Sequence, residues 1–131
     1  MASQLRGTAH FLEHATDCEC CIEVTNWKQR VDIGQCSHCT VTIKGKPISI
    51  ALTQCERVSI LLDHTQMLEA NCCRRVEIQW VLAVPQMQVR LDLCDDMTLF
   101  VPEEMTDPAT EFQLKTSVSR RACVMVLVRG H

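Results

Sequence analysis

Two Cys-x-x-Cys pairs stand near the start of the chain, Cys18-x-x-Cys21 and Cys36-x-x-Cys39. Each pair is a chelating turn, and two such turns are the common source of a tetrahedral four-thiolate zinc site. A second cysteine chemistry is nucleophilic, with Cys39 beside His38. Neighbouring residues of a strand point to opposite faces, so that pairing is geometrically poor. The other histidines, His10, His14, His64 and His131, are scattered. The chain lacks a Gly-rich phosphate loop, a Gly-x-Ser-x-Gly elbow and a His-Glu-x-x-His helix. No catalytic set is expected, and no cofactor.

The cysteines have a simpler explanation in the elements that carry them. Cys36, Cys55, Cys73 and Cys94 recur at steps of 19, 18 and 21 residues. After Cys55 come Val58, Ile60 and Leu62; after Cys73, Val76, Ile78 and Trp80; after Cys94, Met97, Leu99 and Val101. Cys36 is followed in the same phase by Cys39, Val41 and Ile43. Alternation at period two marks strands with one buried face. Between the coils stand corners such as Lys44-Gly45-Lys46-Pro47, after which Ile48, Ile50 and Leu52 resume the alternation. About twenty residues of strand, corner, strand, corner make one turn of a β-solenoid, in which stacked turns share one core. The fold expected is all-β: a right-handed parallel β-helix of about five to six short coils. Val41, Ile43, Val58, Ile60, Val76 and Ile78 should face inward. On this reading most cysteines are reduced, buried and metal-free, since free cysteine packs as a small hydrophobe.

Residues 1–15 read as an N-terminal tail or cap, with Phe11 and Leu12 covering the open end of the core, and residues 16–131 as one β-helix domain. Pro102 to Pro108 reads as a bulging loop, after which Phe112, Leu114 and Val118 return to the sheet. The stretch Cys123 to Val128 is apolar on both faces. Such a strand packs as a final rung or pairs with another chain.

Composition narrows the partners. The net charge is −3, and nucleic-acid binding needs a basic footprint. No apolar run reaches the length of a membrane span, and Met1 to His10 lacks the apolar core of a signal peptide, so the cytosol is the expected compartment. Lys44, Lys46, Arg57, Arg74 and Arg75 fall at corners, which align when coils stack, and so offer a partner-facing row.

Thr42-Ile43-Lys44-Gly45-Lys46, Ile48-Ser49-Ile50, Cys55-Glu56-Arg57-Val58 and Leu62-Asp63 follow one another in an order that resembles the C-terminal domain of cyclase-associated proteins. Val84-Pro85-x-Met87-x-Val89 before Cys94 and the closing Val124 to Val128 extend the resemblance over about residues 36–128. Where that family carries a second Asp after the first, this chain has His64. The resemblance implies a non-enzymatic domain that binds monomeric actin, favours its ADP form and promotes nucleotide exchange. Lys44, Lys46, Arg57 and Asp63 are the residues expected to meet that partner. It also implies a homodimer, although only Arg129, Gly130 and His131 follow the closing strand where the family has an exchanged hairpin. The repeat is similar as well to tubulin-folding cofactor C, a GTPase-activating module that works through a Gln-x-Arg element. Gln88-x-Arg90 is the sole candidate for it within the coils.

Overall fold

A computed structural model describes residues 3–106 and 110–127. Thirteen strands lie among them: β1 (Gln4–Arg6), β2 (Ala9–Glu13), β3 (Glu19–Glu23), β4 (Arg30–Gly34), β5 (Thr40–Lys44), β6 (Ser49–Thr53), β7 (Ser59–Leu62), β8 (Met67–Asn71), β9 (Arg74–Trp80), β10 (Gln86–Asp92), β11 (Asp95–Pro102), β12 (Glu111–Ser117) and β13 (Arg120–Leu127). From β2 onward the chain alternates between two facing sheets. One runs β1-β2-β4-β6-β8-β10-β12 and the other β13-β11-β9-β7-β5-β3. Every pairing is parallel except the antiparallel β1–β2 hairpin. This is the expected parallel β-solenoid.

The period-two alternation translates directly into core ladders. Cys20, Val41, Ile60, Ile78 and Leu99 are successive cross-strand partners in the second sheet. In the first sheet, Val31, Ile50, Leu68 and Val89 do the same. All six residues expected to face inward are buried. Trp80, the bulkiest core side chain, donates its Nε1–H to Thr65 O at 3.4 Å, so its one polar group is satisfied.

The cysteine phase marks a corner of unusual backbone. Cys36, Cys55, Cys73 and Cys94 stack with Ala15 below and Ser119 above. In each coil the residue just before this position and the residue two after it have positive φ. These twelve non-glycine residues, from His14 and Asp17 to Val118 and Arg121, hold φ between 50° and 58°. The side chain in the middle fastens the turn. Cys36, Cys55, Cys73 and Cys94 each donate Sγ–H to the carbonyl two residues back, at 3.3, 3.5, 3.4 and 3.3 Å. Ser119 Oγ does the same at 3.2 Å. Three of the thiols also reach a carbonyl of the preceding coil, Cys36 to Leu12, Cys55 to Ile33 and Cys94 to Ala70. A small side chain with one donor is what this buried position requires. Burial pushes the Cys36 thiol up to about 11, and the Cys55 and Cys94 thiols beside Cys73, together with burial, raise Cys73 as well.

The ends differ from the middle. Residues 1–15 hold the β1–β2 hairpin, turned at Gly7 with φ +60°. Leu12 is in the core, whereas Phe11 lies on the outer face under the Arg6 guanidinium, 5.6 Å from its ring centre. The expected loop after Pro102 begins as a 3-10 turn, Glu103–Thr106, and Met105 packs inward to accept a bond from Val84 N at 3.1 Å. Asp107 and Pro108 lie outside the described residues. Phe112 and Leu114 return to the core as half-buried residues, but Val118 does not: it is 80% exposed at a positive-φ corner position. The closing strand β13 pairs with β11 on one side, and its Val124, Met125 and Val126 remain 38%, 49% and 42% exposed. Val128 lies outside the described residues.

Candidate functional site

The corner that follows the second-sheet strands is built by Gly45. Its φ is +100°, and a Cβ at this position would run into the carbonyl oxygen of Val24 in the coil below. Only glycine allows the two loops to approach this closely. From the coil above, Asp63 accepts a bond from Gly45 N at 3.1 Å. Val24 N donates to Lys44 O at 2.8 Å, and Ile48 N donates to Gln29 O at 2.8 Å. Three consecutive loops are thereby stacked in register, and Lys44 and Lys46 are both exposed on them.

His64 adjoins this pair. Burial, and then the charge of Lys46, hold its imidazole below the ordinary histidine range. Its Nδ1 is buried without a hydrogen-bond partner. Thus the ring adds no positive charge to the corner near neutral pH.

The structure divides the four residues expected to meet a partner. Lys44, Lys46 and Asp63 share one corner. Arg57 is exposed at the opposite corner, before β7 rather than after it, where it takes one of the positive-φ positions. A strand's length separates the two corners, about 15–20 Å. Asp63 is only half-buried, and its carboxylate positions Gly45. Arg74 and Arg75 lie with Arg57, in a corner rich in both signs of charge. There Arg121 makes two bonds to Asp95 at 2.9 and 2.8 Å and holds its carboxyl below the usual carboxylate range.

Two exposed apolar residues accompany the lysines: Trp27, which no alternation marks, and Ile48, which the alternation groups with Ile50 and Leu52 but which precedes β6 and stays outside the core. Trp27 is 66% exposed in the loop between β3 and β4, with Lys28 Nζ 5.6 Å from its ring centre. Ile48 is 51% exposed, and it lines a shallow groove with Gln66, Met67, Gln86 and Gln88. A tryptophan within Asn26-Trp27-Lys28-Gln29 was the available signal, since a polar loop gives the ring nothing to pack on. Exposed aromatic side chains are the kind that anchor protein interfaces, with charged residues confined to the polar rim.

The other constellations disperse. Cys18 and Cys39 are neighbours, but Cys21 is exposed on β3 and Cys36 is buried in the corner column. Among the described residues no group of three or more His, Cys, Asp or Glu is placed to hold a metal ion. The four-thiolate alternative therefore lacks its geometry. His10 is a core residue, whose Nε2–H donates to Gln29 Oε1 at 3.0 Å. Arg90 is exposed in the first sheet, 3.9 Å from Asp92. Among the described residues no helix is long and apolar enough to cross a membrane.

The described residues thus form a parallel β-solenoid whose exposed charges are laid out in corner rows. A family model described as "Adenylate cyclase associated (CAP) C terminal" matches residues 2–130, and the chain belongs to that family. It is 24% identical over 118 residues to the adenylyl cyclase-associated protein of Schizosaccharomyces pombe, covering 88% of this chain and 21% of that protein. The chain therefore spans about a fifth of the length of that curated relative. The crystal structure of cyclase-associated protein from Cryptosporidium parvum shares the fold, with a TM-score of 0.80 at 16% identity over 95% of this chain and 77% of that one.

Proposed function

We propose that this domain is a non-enzymatic actin-monomer binding module of the cytosol and cytoskeleton, favouring ADP-actin and promoting exchange of its nucleotide. The observation that carries the reading is family membership across residues 2–130. The surface agrees with it. Lys44 and Lys46 project from a corner fixed by Gly45, with Trp27 and Ile48 exposed along the same stack of loops. Actin's surface is broadly acidic, so the lysines speed encounter and the apolar residues supply the desolvated contact. Arg57 lies a strand's length away, and a broad partner reaches it only by spanning the second sheet.

In a titration of fluorescently labelled ADP-actin, the wild-type chain should bind, and Lys44→Ala/Lys46→Ala should weaken binding about tenfold or more with little change in melting temperature. Affinity should fall as salt rises. No binding at tens of micromolar, together with stimulation of a small GTPase that Arg90→Ala abolishes, would move the assignment to the cofactor C class.

Self-association is the second part of the proposal. Val124, Met125 and Val126 expose both faces of the last strand. Such an edge is usually covered, and a second copy of this chain across a two-fold axis is the simplest cover. Sedimentation should give a dimer at tens of micromolar, and Met125→Asp should shift it to monomer. A wild-type monomer at that concentration overturns this part alone.

A further inference from the structure

We propose that Cys18 and Cys39 form a disulfide site, closed by small-molecule disulfides and reopened by thiols. Cys18 directly precedes β3 and Cys39 directly precedes β5, and the residues after them, Glu19 and Thr40, are cross-strand partners. Thr40 N donates to Cys18 O at 2.9 Å, which fixes the two positions side by side. Adjacent strands run about 4.8 Å apart, and a disulfide accepts Cα separations of about 4.4–6.8 Å. The two Sγ atoms are already 3.2 Å apart, with Cys18 donating to Cys39. Closure to a bond of about 2.05 Å asks for side-chain rotation rather than movement of the strands.

Exposure sets the order of events. Cys18 is half-buried and meets solvent, whereas Cys39 is 2% exposed. The Cys18 thiolate attacks one sulfur of a small disulfide such as glutathione disulfide. A protein–glutathione bond forms and one glutathione thiolate leaves, taking up a proton. The Cys39 thiol then loses its proton to solvent and attacks the Cys18 sulfur, expelling the second glutathione. Two protein thiols have lost two electrons, and one small disulfide has gained them. The bond to Cys39 and burial raise the Cys18 pKa, so attack quickens with pH. The thiols of the corner column are also close to one another, but each is 2% exposed or less and has no route to an oxidant. Cys21, Cys72 and Cys123 are exposed and have no comparable hydrogen-bonded thiol neighbour among the described residues. The new bond staples the first two rungs of the second sheet across Cys18 to Cys39 and restricts the unfolded chain.

The experiment treats the full chain with glutathione disulfide at mildly alkaline pH, alkylates it, and locates bonds by peptide mass spectrometry. The wild type should give a Cys18–Cys39 cross-link, lose two free thiols and melt several degrees higher, all reversed by dithiothreitol. Cys39→Ser should instead retain glutathione on Cys18, because the resolving thiol is gone, and Cys18→Ser should show neither product. Retention of glutathione on Cys18 in the wild type, cross-links at other cysteines, or reaction at Cys21 and Cys72 with Cys18 untouched would each overturn the site.

Discussion

Ile60→Ala should lower the unfolding free energy by about 2–5 kcal/mol, the range for emptying a buried aliphatic site. Ile60 is 2% exposed on β7, with Val41 and Ile78 as its partners on the flanking strands. In a two-sheet solenoid the facing layer is hung from corners, and each corner is hydrogen-bonded to the coils above and below. Corner bonds such as Ser59 N to Cys39 O and Glu77 N to Val58 O bracket this rung on both sides. The sheets therefore cannot close freely over the missing methyl groups, and the upper half of the range is expected. Ser59→Ala, on the exposed face of the same strand, is the control, with an effect within about 0.5 kcal/mol. Chemical denaturation of both variants decides it. A loss below about 1 kcal/mol for Ile60→Ala would mean that the rung does not carry the core.

The core was open to reading because burial acts on every second residue of a strand, and the same alternation returns with each coil. The spacing of Cys36, Cys55, Cys73 and Cys94 locates the repeat, and the last strand's two apolar faces are equally plain. The corner backbone was hidden. Positive φ is announced by glycine or asparagine, yet here it is held by residues such as Gln35, Arg57, Leu93 and Val118. Long-range bonds from stacked coils impose it against local preference, at a cost of order 1–2 kcal/mol per residue. The grouping of Arg57 with Lys44 and Lys46 has a different origin. All three are corner residues of one sign, but Lys44 and Lys46 stand between β5 and β6 and Arg57 between β6 and β7, so the strand, corner, strand, corner order already separates them. Val118 misleads, since an apolar residue after two alternating ones reads as a third rung until the corner bonds are counted. Trp27 escaped because solvent exposure leaves no periodic trace.

Gly45→Ala should be as damaging as an emptied core site, although Gly45 has no side chain to bury. Three effects add. At φ +100° an L side chain is strained, costing about 1–3 kcal/mol. The new methyl group would meet the Val24 carbonyl oxygen, which is main chain and cannot swing aside. Moving the loop to relieve that contact breaks the bond from Gly45 N to Asp63. The half-buried carboxylate is then left without that donor. A loss of roughly 3–4 kcal/mol is expected, close to the point where single substitutions threaten folding. The variant also separates two roles that sequence alone merges. If Asp63 serves the fold by holding Gly45, then Asp63→Asn, which retains an acceptor oxygen, should lose about 1 kcal/mol and keep binding to ADP-actin. Lys44→Ala/Lys46→Ala should do the reverse, keeping stability and losing affinity. Thermal melts and the actin titration on these variants read both axes at once. Full stability in Gly45→Ala would show that the loops do not stack against Val24. Lost affinity with full stability in Asp63→Asn would make the carboxylate a contact to the partner instead of a brace for the corner.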